Sequence, residues 1–315
     1  MSKSRKQRLL RIFFFLLLSV ALIYLYKNYD SLVGKPILPL TDPCELYPKE
    51  ITCNQNELYL KLNQTPKNNL TVHFIDVGQG DSTLIQLEDF TMLVDCGDKN
   101  HGNDVINYLK QNNIIELDIL VATHADADHT GGCAQVLQQT NTTTVWDNGQ
   151  EKDTQAYKNY IKVAKQKDLK IINMGDSIRI PNGYIIVLNP DQQDLFSDYN
   201  QNSIVLMIIY GKQKFLLTGD CEEDCEARLT KYQISSQILK AGHHGSKTSS
   251  SQVFLDKVKP ELAVVSVGKN NRYGHPHQEV LDRLSQSNIA VIRTDQLGTI
   301  VITTNSQTYL VLSNT

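Results

Sequence analysis

From Leu70 onward, the chain alternates between short apolar runs and longer segments in which apolar residues recur at helical spacing. The short runs are rich in β-branched residues and end in turn-forming residues, which is typical of strands. The predicted strands are TVHFIDV, STLIQLE, FTMLVDC, LDILVATH, YIIVLNP, SIVLMIIYG, KFLLTGD, QILKAGHHGS, ELAVVSVG, AVIRTD and a terminal hairpin, TIVITTNSQTYLVL. The predicted helices are NDVINYLKQNNI, GGCAQVLQQ, TQAYKNYIKVAKQK, SQVFLDKVK and HQEVLDRLSQS. Strands and helices mix in two successive halves, which predicts a layered α/β domain with two sheets between outer helices.

The N-terminal pattern is different. MSKSRKQRLLR carries five basic residues before any acid, and residues 12–26 then run without a charge. With the two preceding leucines this run approaches the ~20 residues that span a bilayer, and the basic cluster before it predicts a cytoplasmic N-terminus. We therefore expect residues 1–27 to be a signal anchor in the cell membrane, with the rest of the chain extracytoplasmic. The alternative is a cleaved signal peptide and a secreted protein, but the bulky LYKNYDSLVG that follows offers no small-residue cleavage site.

Residues 28–69 are polar and contain prolines, which indicates a linker, and residues 70–315 form the predicted domain. An oxidising compartment would permit disulfides, and the near-neighbour pairs are Cys44 with Cys53 and Cys221 with Cys225. The second pair is the less favoured, because positions four apart on a regular helix do not present disulfide geometry.

The formal net charge of -3 gives no overall basic footprint for nucleic acid. A polyanionic substrate would therefore need local positive charge or a bound metal ion. THADADHTGG supplies the first candidate site, because it places imidazoles and carboxylates in one loop directly after an apolar strand. That mixture suits a divalent cation, and its candidate ligands are His124, Asp126, Asp128 and His129.

Three further clusters follow predicted strands, as a site at one edge of a layered sandwich would require. They are Asp220 in LLTGD, His243 and His244 in AGHHGS, and His275 and His277 in YGHPH.

These motifs together carry a resemblance to a known family. H-x-D-x-D-H-x-G-G, preceded by FIDVGQGDS and accompanied by LVDCG, LLTGD, HHGS and YGHP, resembles the metallo-β-lactamase superfamily, and within it the C-terminal domain of the ComEC/Rec2 DNA-uptake proteins. The resemblance covers roughly residues 70–313. It implies an αββα sandwich of two mixed sheets with a metal site at one edge. It also implies metal-dependent hydrolysis, often of phosphodiesters, and degradation of DNA at the cell surface during uptake.

The resemblance also implies residue roles. His124 and Asp126 match ligands of a first metal, Asp128 and His129 match ligands of a second, and Asp220 matches the carboxylate between them. One of His243 and His244 would complete the second site, and His243 is favoured because it comes first after its strand. The acids that match structural positions are Asp95 in LVDCG and Asp76 and Asp81 in the signature VGQGD, which with Gln79 is expected to shape a loop at the rim.

Two departures from the superfamily pattern make the site richer in oxygen. Asp126 stands where relatives often carry histidine, and YNQNS, with Asn202, stands in place of a mid-chain histidine. Oxygen ligands favour Mn or Mg over Zn. The resemblance implies two divalent ions, and we expect them to be Mn or Zn, with Mg an alternative.

Groups that could bind phosphate lie close to these ligands in the chain. HGSKTSS places Ser246, Lys247 and Ser249 before a helix N-terminus, although such a run can also be a simple helix cap. Tyr273 precedes His275, which could protonate a leaving oxygen or be a structural histidine, and Asp128 could orient the attacking water as well as ligate.

Three functions stay open at this point. The first is a nuclease or phosphodiesterase acting on DNA. The second is a hydrolase of another ester, a lactone or a cell-envelope phosphodiester. The third is a non-catalytic DNA-binding module, against which the intact ligand set argues.

Overall fold

Two β-sheets lie face to face in the part of the protein that the computed structural model describes, residues 69–313. The eight strands of the first sheet are β1 (Leu70–Phe74), β2 (Thr83–Leu87), β3 (Phe90–Val94), β4 (Glu116–Ala122), β5 (Asn141–Asp147), β6 (Asp168–Ile171), β14 (Ile300–Thr304) and β15 (Tyr309–Ser313). The seven strands of the second are β7 (Ser177–Ile180), β8 (Gly183–Asn189), β9 (Val205–Tyr210), β10 (Gln213–Leu217), β11 (Ile238–Lys240), β12 (Leu262–Val265) and β13 (Ala290–Arg293).

Eight α-helices accompany the sheets in the described residues. They are α1 (Gly102–Gln111), α2 (Ala127–Thr130), α3 (Cys133–Gln139), α4 (Gln155–Ala164), α5 (Glu223–Leu229), α6 (Gln252–Val258), α7 (Gln278–Gln286) and α8 (Thr294–Leu297), with short 3-10 turns at Asn200–Asn202 and Gly242–Gly245.

Three apolar clusters hold these layers together. Side chains of both sheets, such as Val72 and Leu206, share the central cluster. Sheet one packs against α1, α3 and α4 through residues such as Val105, and sheet two packs against α5, α6 and α7 through residues such as Phe254. The predicted αββα sandwich is therefore confirmed for the described residues.

Each sheet changes from antiparallel to parallel pairing along its width. Strands β3 to β6 are parallel in the first sheet, and β10 to β13 are parallel in the second. Because the carboxyl ends of parallel strands lie at one edge of a sheet, the loops after β3, β4, β10, β11 and β12 are brought together.

Among residues 69–313, no helix is long and apolar enough to cross a membrane. The predicted anchor (1–27), the linker and the Cys44–Cys53 pair lie outside the described residues.

Two disulfides connect elements near this edge. Cys221 and Cys225 are bonded with their Cα atoms 5.5 Å apart. The geometric objection to this pair does not hold, because Cys221 lies before α5 and only Cys225 is on the helix. The second disulfide, Cys96–Cys133, was not foreseen; it ties the loop after β3 to the first residue of α3.

Replacing both Cys96 and Cys133 with alanine is expected to lower the free energy of unfolding by about 3 kcal/mol, because their bond closes a loop with a sequence separation of 37 residues. The matched variant Cys221→Ala/Cys225→Ala opens a separation of only 4 residues and should cost about 2 kcal/mol or less. Urea unfolding of the oxidised full chain compares the two. An equal or larger loss in the Cys221/Cys225 variant would contradict the loop-closure argument.

Candidate metal centre

The loop after β4 carries the predicted ligand motif into the edge where the two sheets meet. His124 and His129 are almost fully buried, and Asp126 begins the single-turn helix α2. The VGQGD loop contacts this segment through a backbone hydrogen bond, in which Asp81 donates its N–H to the Asp128 carbonyl oxygen at 3.1 Å. Gly80 has φ +148°, and a Cβ there would lie 2.4 Å from the same carbonyl, so a side chain at position 80 would push the ligand loop away.

Three buried imidazoles converge on Asp220, which follows β10. The distances from their Nε2 atoms to Asp220 Oδ2 are 3.9 Å for His124, 3.2 Å for His129 and 3.6 Å for His244. None of these Nε2 atoms, nor Asp220 Oδ1, has a hydrogen-bond partner within the described structure. Buried polar atoms are normally satisfied, and imidazole nitrogens around a carboxylate are suitable ligands for a divalent cation. The residues therefore fit the metal ion that the resemblance implies.

The other nitrogen of each ring is held by a hydrogen bond. His129 Nδ1 lies 2.7 Å from Asp95 Oδ2, His244 Nδ1 lies 2.9 Å from the Ser266 carbonyl oxygen, and His124 Nδ1 lies 3.1 Å from Thr123 Oγ1. Asp95 itself accepts from the backbone and hydroxyl of Thr123. Such partners fix the ring orientation and leave Nε2 for a metal.

The electrostatics of the cluster favour bound positive charge. Burial opposes ionisation of Asp220, but the imidazoles of His129 and His244 outweigh it and hold the pKa of the carboxyl well below its usual value. Burial also opposes protonation of those two rings, yet the carboxylates around them, Asp220 foremost, raise the pKa of both. Asp128 is likewise kept ionised: burial opposes this, but the neighbouring imidazoles of His244, whose Nε2 lies 3.5 Å from Asp128 Oδ2, and of His129 lower its pKa.

The two adjacent histidines of HHGS have different surroundings. Both have left-handed backbone angles, with φ of 47° and 54°, which turns their side chains toward Asp220 from separate directions. His244 is 1% exposed, and its Nε2 also lies 3.5 Å from Asp128 Oδ2. His243 is only partly buried; its Nε2 is 3.8 Å from Asp220 Oδ2 and its Nδ1 is bound to Glu222 Oε1 at 2.7 Å. The geometry thus favours His244 as the inner ligand, whereas chain order favoured His243.

Asp81 does not lie at a rim. It is 2% exposed and pairs with Lys240, also 2% exposed, with 2.6 Å between Asp81 Oδ2 and Lys240 Nζ. Together with His129, Asp220 and His244 it forms a buried group whose potential ligand atoms lie within 4.8 Å of one another. However, Asp81 faces the Nδ1 atoms of the two rings, at 3.9 Å from each, so it lies behind them. Asp76, by contrast, is exposed and accepts from the Gly78 N–H within its own loop.

Asp126 stands apart from the converging imidazoles. Its Oδ1 is paired with Lys152 Nζ, and both side chains are about 30% exposed. Lys152 was not foreseen, because it follows β5 in a polar loop and nothing in its local sequence distinguishes it. Glu222 and Lys240 were also missed, although each directly adjoins a predicted motif.

The predicted phosphate-binding residues fall into two groups. Lys247 is exposed at the mouth of the site, whereas Ser249 is buried and its hydroxyl donates to the Gly242 carbonyl oxygen at 2.6 Å. Ser246 is also buried, with its hydroxyl 2.9 Å from Thr248 Oγ1. The serines therefore shape this loop, and Lys247 is its accessible cation.

Tyr273 and His275 form a stack beside the HHGS histidines. Tyr273 is 46% exposed, and its ring centroid lies 5.6 Å from that of His275 at an angle of 22°. Burial and the neighbouring His244 and His243 lower the pKa of His275 to about 4. The ring is half-exposed between Tyr273 and the HHGS histidines, so its predicted role in protonating a leaving group stays a prediction.

Comparison with known proteins agrees with the fold. The profile of the metallo-beta-lactamase superfamily matches residues 75–269, more than half of the chain. The chain belongs to the metallo-beta-lactamase superfamily. Its relatives within the superfamily include the ComE operon protein 3 of Bacillus subtilis, 35% identical over 73% of this chain and 32% of the relative. They also include Recombination protein 2 of Haemophilus influenzae, 29% identical over 76% of this chain and 29% of the relative.

This metallo-beta-lactamase domain is thus homologous to the ComEC/Rec2 competence family, as predicted, and the chain spans about a third of the length of these relatives. Among solved structures, the metallo-beta-lactamase fold protein YhfI of Bacillus subtilis has a TM-score of 0.53 at 13% identity, covering 76% of this chain and all of YhfI. That likeness shows the shared fold.

Proposed function

We propose that the protein is a metal-dependent phosphodiesterase that cleaves DNA at the outer face of the cell membrane. The observation that carries hydrolysis is the set of three buried Nε2 atoms aimed at Asp220, without hydrogen-bond partners in the described region. DNA as substrate is supported by the names of the relatives, which are competence and recombination proteins. Cleavage of another ester or lactone, and DNA binding without turnover, are the outcomes that the assay below separates.

A divalent ion in such a site supplies Lewis-acid activation of water and of a phosphoryl oxygen. The residues that would hold it are His129, His244, Asp128 and Asp220. Asp128 is the one of these whose side chain is substantially exposed, at 30%, so it is the group that can also accept a hydrogen bond from the attacking water.

Local cations offset the slightly acidic charge of the chain where the phosphate would enter. Lys247 is exposed beside His277, whose Nδ1 accepts its backbone N–H at 3.0 Å. In the loop before His275, the exposed Arg272 lies over the Tyr273 ring at 4.9 Å. Two exposed cations in loops that adjoin the candidate ligands can attract a phosphodiester without a basic surface elsewhere.

The assay uses the full chain purified in detergent, with single- and double-stranded DNA and Mn²⁺. We expect cleavage by the wild type and at least ~10³-fold less by Asp128→Ala and His129→Ala, because each removes a group beside the reacting phosphate. Asp282→Asn, an exposed change on α7, is the matched control. If the protein hydrolysed a chromogenic phosphodiester or lactone but left DNA intact, its substrate would be an ester other than DNA. Binding of DNA with no turnover of any substrate would refute the hydrolase.

The location is a separate part of the proposal, supported by the basic cluster and the uncharged residues 12–26. We expect the protein to stay in the membrane after alkaline extraction and to be digested by protease added to spheroplasts. Recovery in the soluble fraction of the cytoplasm would contradict it.

A further inference from the structure

The carboxylate of Asp126 already has a cationic partner in this protein. We propose that the ammonium group of Lys152 takes the place of one divalent ion, so that the chain binds a single ion, between Asp128, His129, His244 and Asp220. The inference rests on the proposed function for its metal site, but it changes the expected count from two ions to one.

Lys152 is held in position by groups from two other segments of the chain. Besides its ion pair with Asp126, its Nζ lies 4.8 Å from the centroid of the Tyr199 ring, which is cation–π range. The Tyr199 hydroxyl in turn donates to the Glu151 carbonyl oxygen at 3.1 Å, directly before Lys152 in the chain. The lysine is therefore clamped between the ligand loop and the segment before β9.

The segment before β9, which contains Tyr199 and Asn202, does not offer the Asn202 side chain as a ligand for a second ion. Asn202 is fully buried. Its Nδ2 donates to Gln150 Oε1 and to the carbonyl oxygens of Phe196 and Asp198, at 2.8 to 3.0 Å. Its Oδ1 accepts from the Phe196 N–H at 2.9 Å. Every polar group of this amide is used to close the loop, so none is left for a metal.

An ion beside His124 would consequently be poorly held. It would have His124 Nε2 and a share of Asp220, and the Asp126 carboxylate is already neutralised by the lysine at Oδ1. Catalytic metal sites in proteins usually have three or more protein ligands. The other position has His129, His244 and Asp220 in one buried cluster, with Asp128 Oδ2 3.5 Å from His244 Nε2, so it is expected to bind an ion more tightly.

A lysine ammonium in place of a second metal ion keeps a positive charge in the site but has different chemistry. A lysine ammonium is a compact point charge that can contact a phosphate oxygen, and unlike a second ion it cannot dissociate at low metal concentration. The site would therefore keep one of its two positive centres at any metal concentration.

The experiment counts Mn²⁺ in the full chain by elemental analysis and records its electron paramagnetic resonance spectrum. Wild type is expected to retain one Mn²⁺ per chain, with the six-line signal of an isolated ion. Lys152→Met, which keeps the aliphatic stem, frees Asp126 and should bind a second Mn²⁺ at least ~10-fold more tightly than wild type, with an exchange-coupled spectrum. Lys158→Met removes an exposed lysine that pairs with Asp153 and should behave as wild type.

Two equivalents of Mn²⁺ and a coupled spectrum in the wild type would overturn the inference, even if Lys152→Met failed to fold. A single retained ion in a folded Lys152→Met protein would also overturn it. If the wild type bound two ions and cleaved DNA, the single-ion inference would fail and the proposed function would stand. If it retained no ion and hydrolysed nothing, both the inference and the proposed function would fail.

Discussion

Replacing Asp220 with asparagine is expected to abolish metal retention and to lower hydrolysis by at least ~10³-fold, about 4 kcal/mol of transition-state stabilisation. Asp220 is the carboxylate on which the three buried imidazoles converge, and it is 3% exposed. Asparagine has nearly the same shape, so the variant removes the negative charge and keeps the packing. The charge is what holds a cation against the cost of burying it.

Elemental analysis after dialysis and initial rates on the same preparation measure the two effects. Asp282→Asn makes the same chemical change on an exposed position and should leave both unchanged. An Asp220→Asn protein that retains its metal and its rate would show that the ion is held elsewhere.

Replacing Lys240 with methionine is expected to lower the free energy of unfolding by about 3–5 kcal/mol. The change leaves the buried Asp81 carboxylate without its partner at 2.6 Å. It also removes the ammonium from the carbonyl oxygens of Gly219 and Ala241, at 3.3 and 3.1 Å. Gly219 directly precedes Asp220 and Ala241 lies two residues before His243, so metal affinity should fall together with stability.

Urea unfolding at pH 7 measures the loss, and the double variant Asp81→Asn/Lys240→Met tests its cause. If the uncompensated charge is the reason, neutralising Asp81 should restore more than half of the stability. A double variant less stable than Lys240→Met would show that the packing of the lysine, and not its charge, matters.

The sequence was sufficient to predict the parts of the site that follow apolar strands. His124 follows β4 of the first sheet, and Asp220 and the HHGS histidines follow β10 and β11, which are parallel neighbours in the second. A residue type with unusual chemistry at the end of a buried strand is a local signal, so sequence reading detects it.

The residues that support the site carry no such signal. Cys96 and Cys133 are separated by 37 positions, and their meeting depends on how the loop after β4 folds back over the loop after β3. Lys152 and Asp126 come from different loops, and only the three-dimensional structure shows that they form a pair. Buried ion pairs and long-range disulfides are products of topology, which composition and periodicity do not encode locally.

The order of the two HHGS histidines could not be read from the sequence for a related reason. Whether His243 or His244 points inward depends on the left-handed angles of that turn. In an ordinary extended backbone the first residue after the strand would be the better placed, which is why the sequence favoured His243.

The two halves of the domain contribute unequal but complementary parts of the centre. His124, Asp128 and His129 come from the first sheet and its loops, whereas Asp220 and His244 come from the second. A bound ion would therefore act as a cross-link between the sheets, and the melting temperature should climb with the concentration of free metal. By mass action the gain reaches about 2.7 kcal/mol when free metal exceeds the dissociation constant 100-fold, which would make the metal content of the surroundings a determinant of how long the folded domain persists.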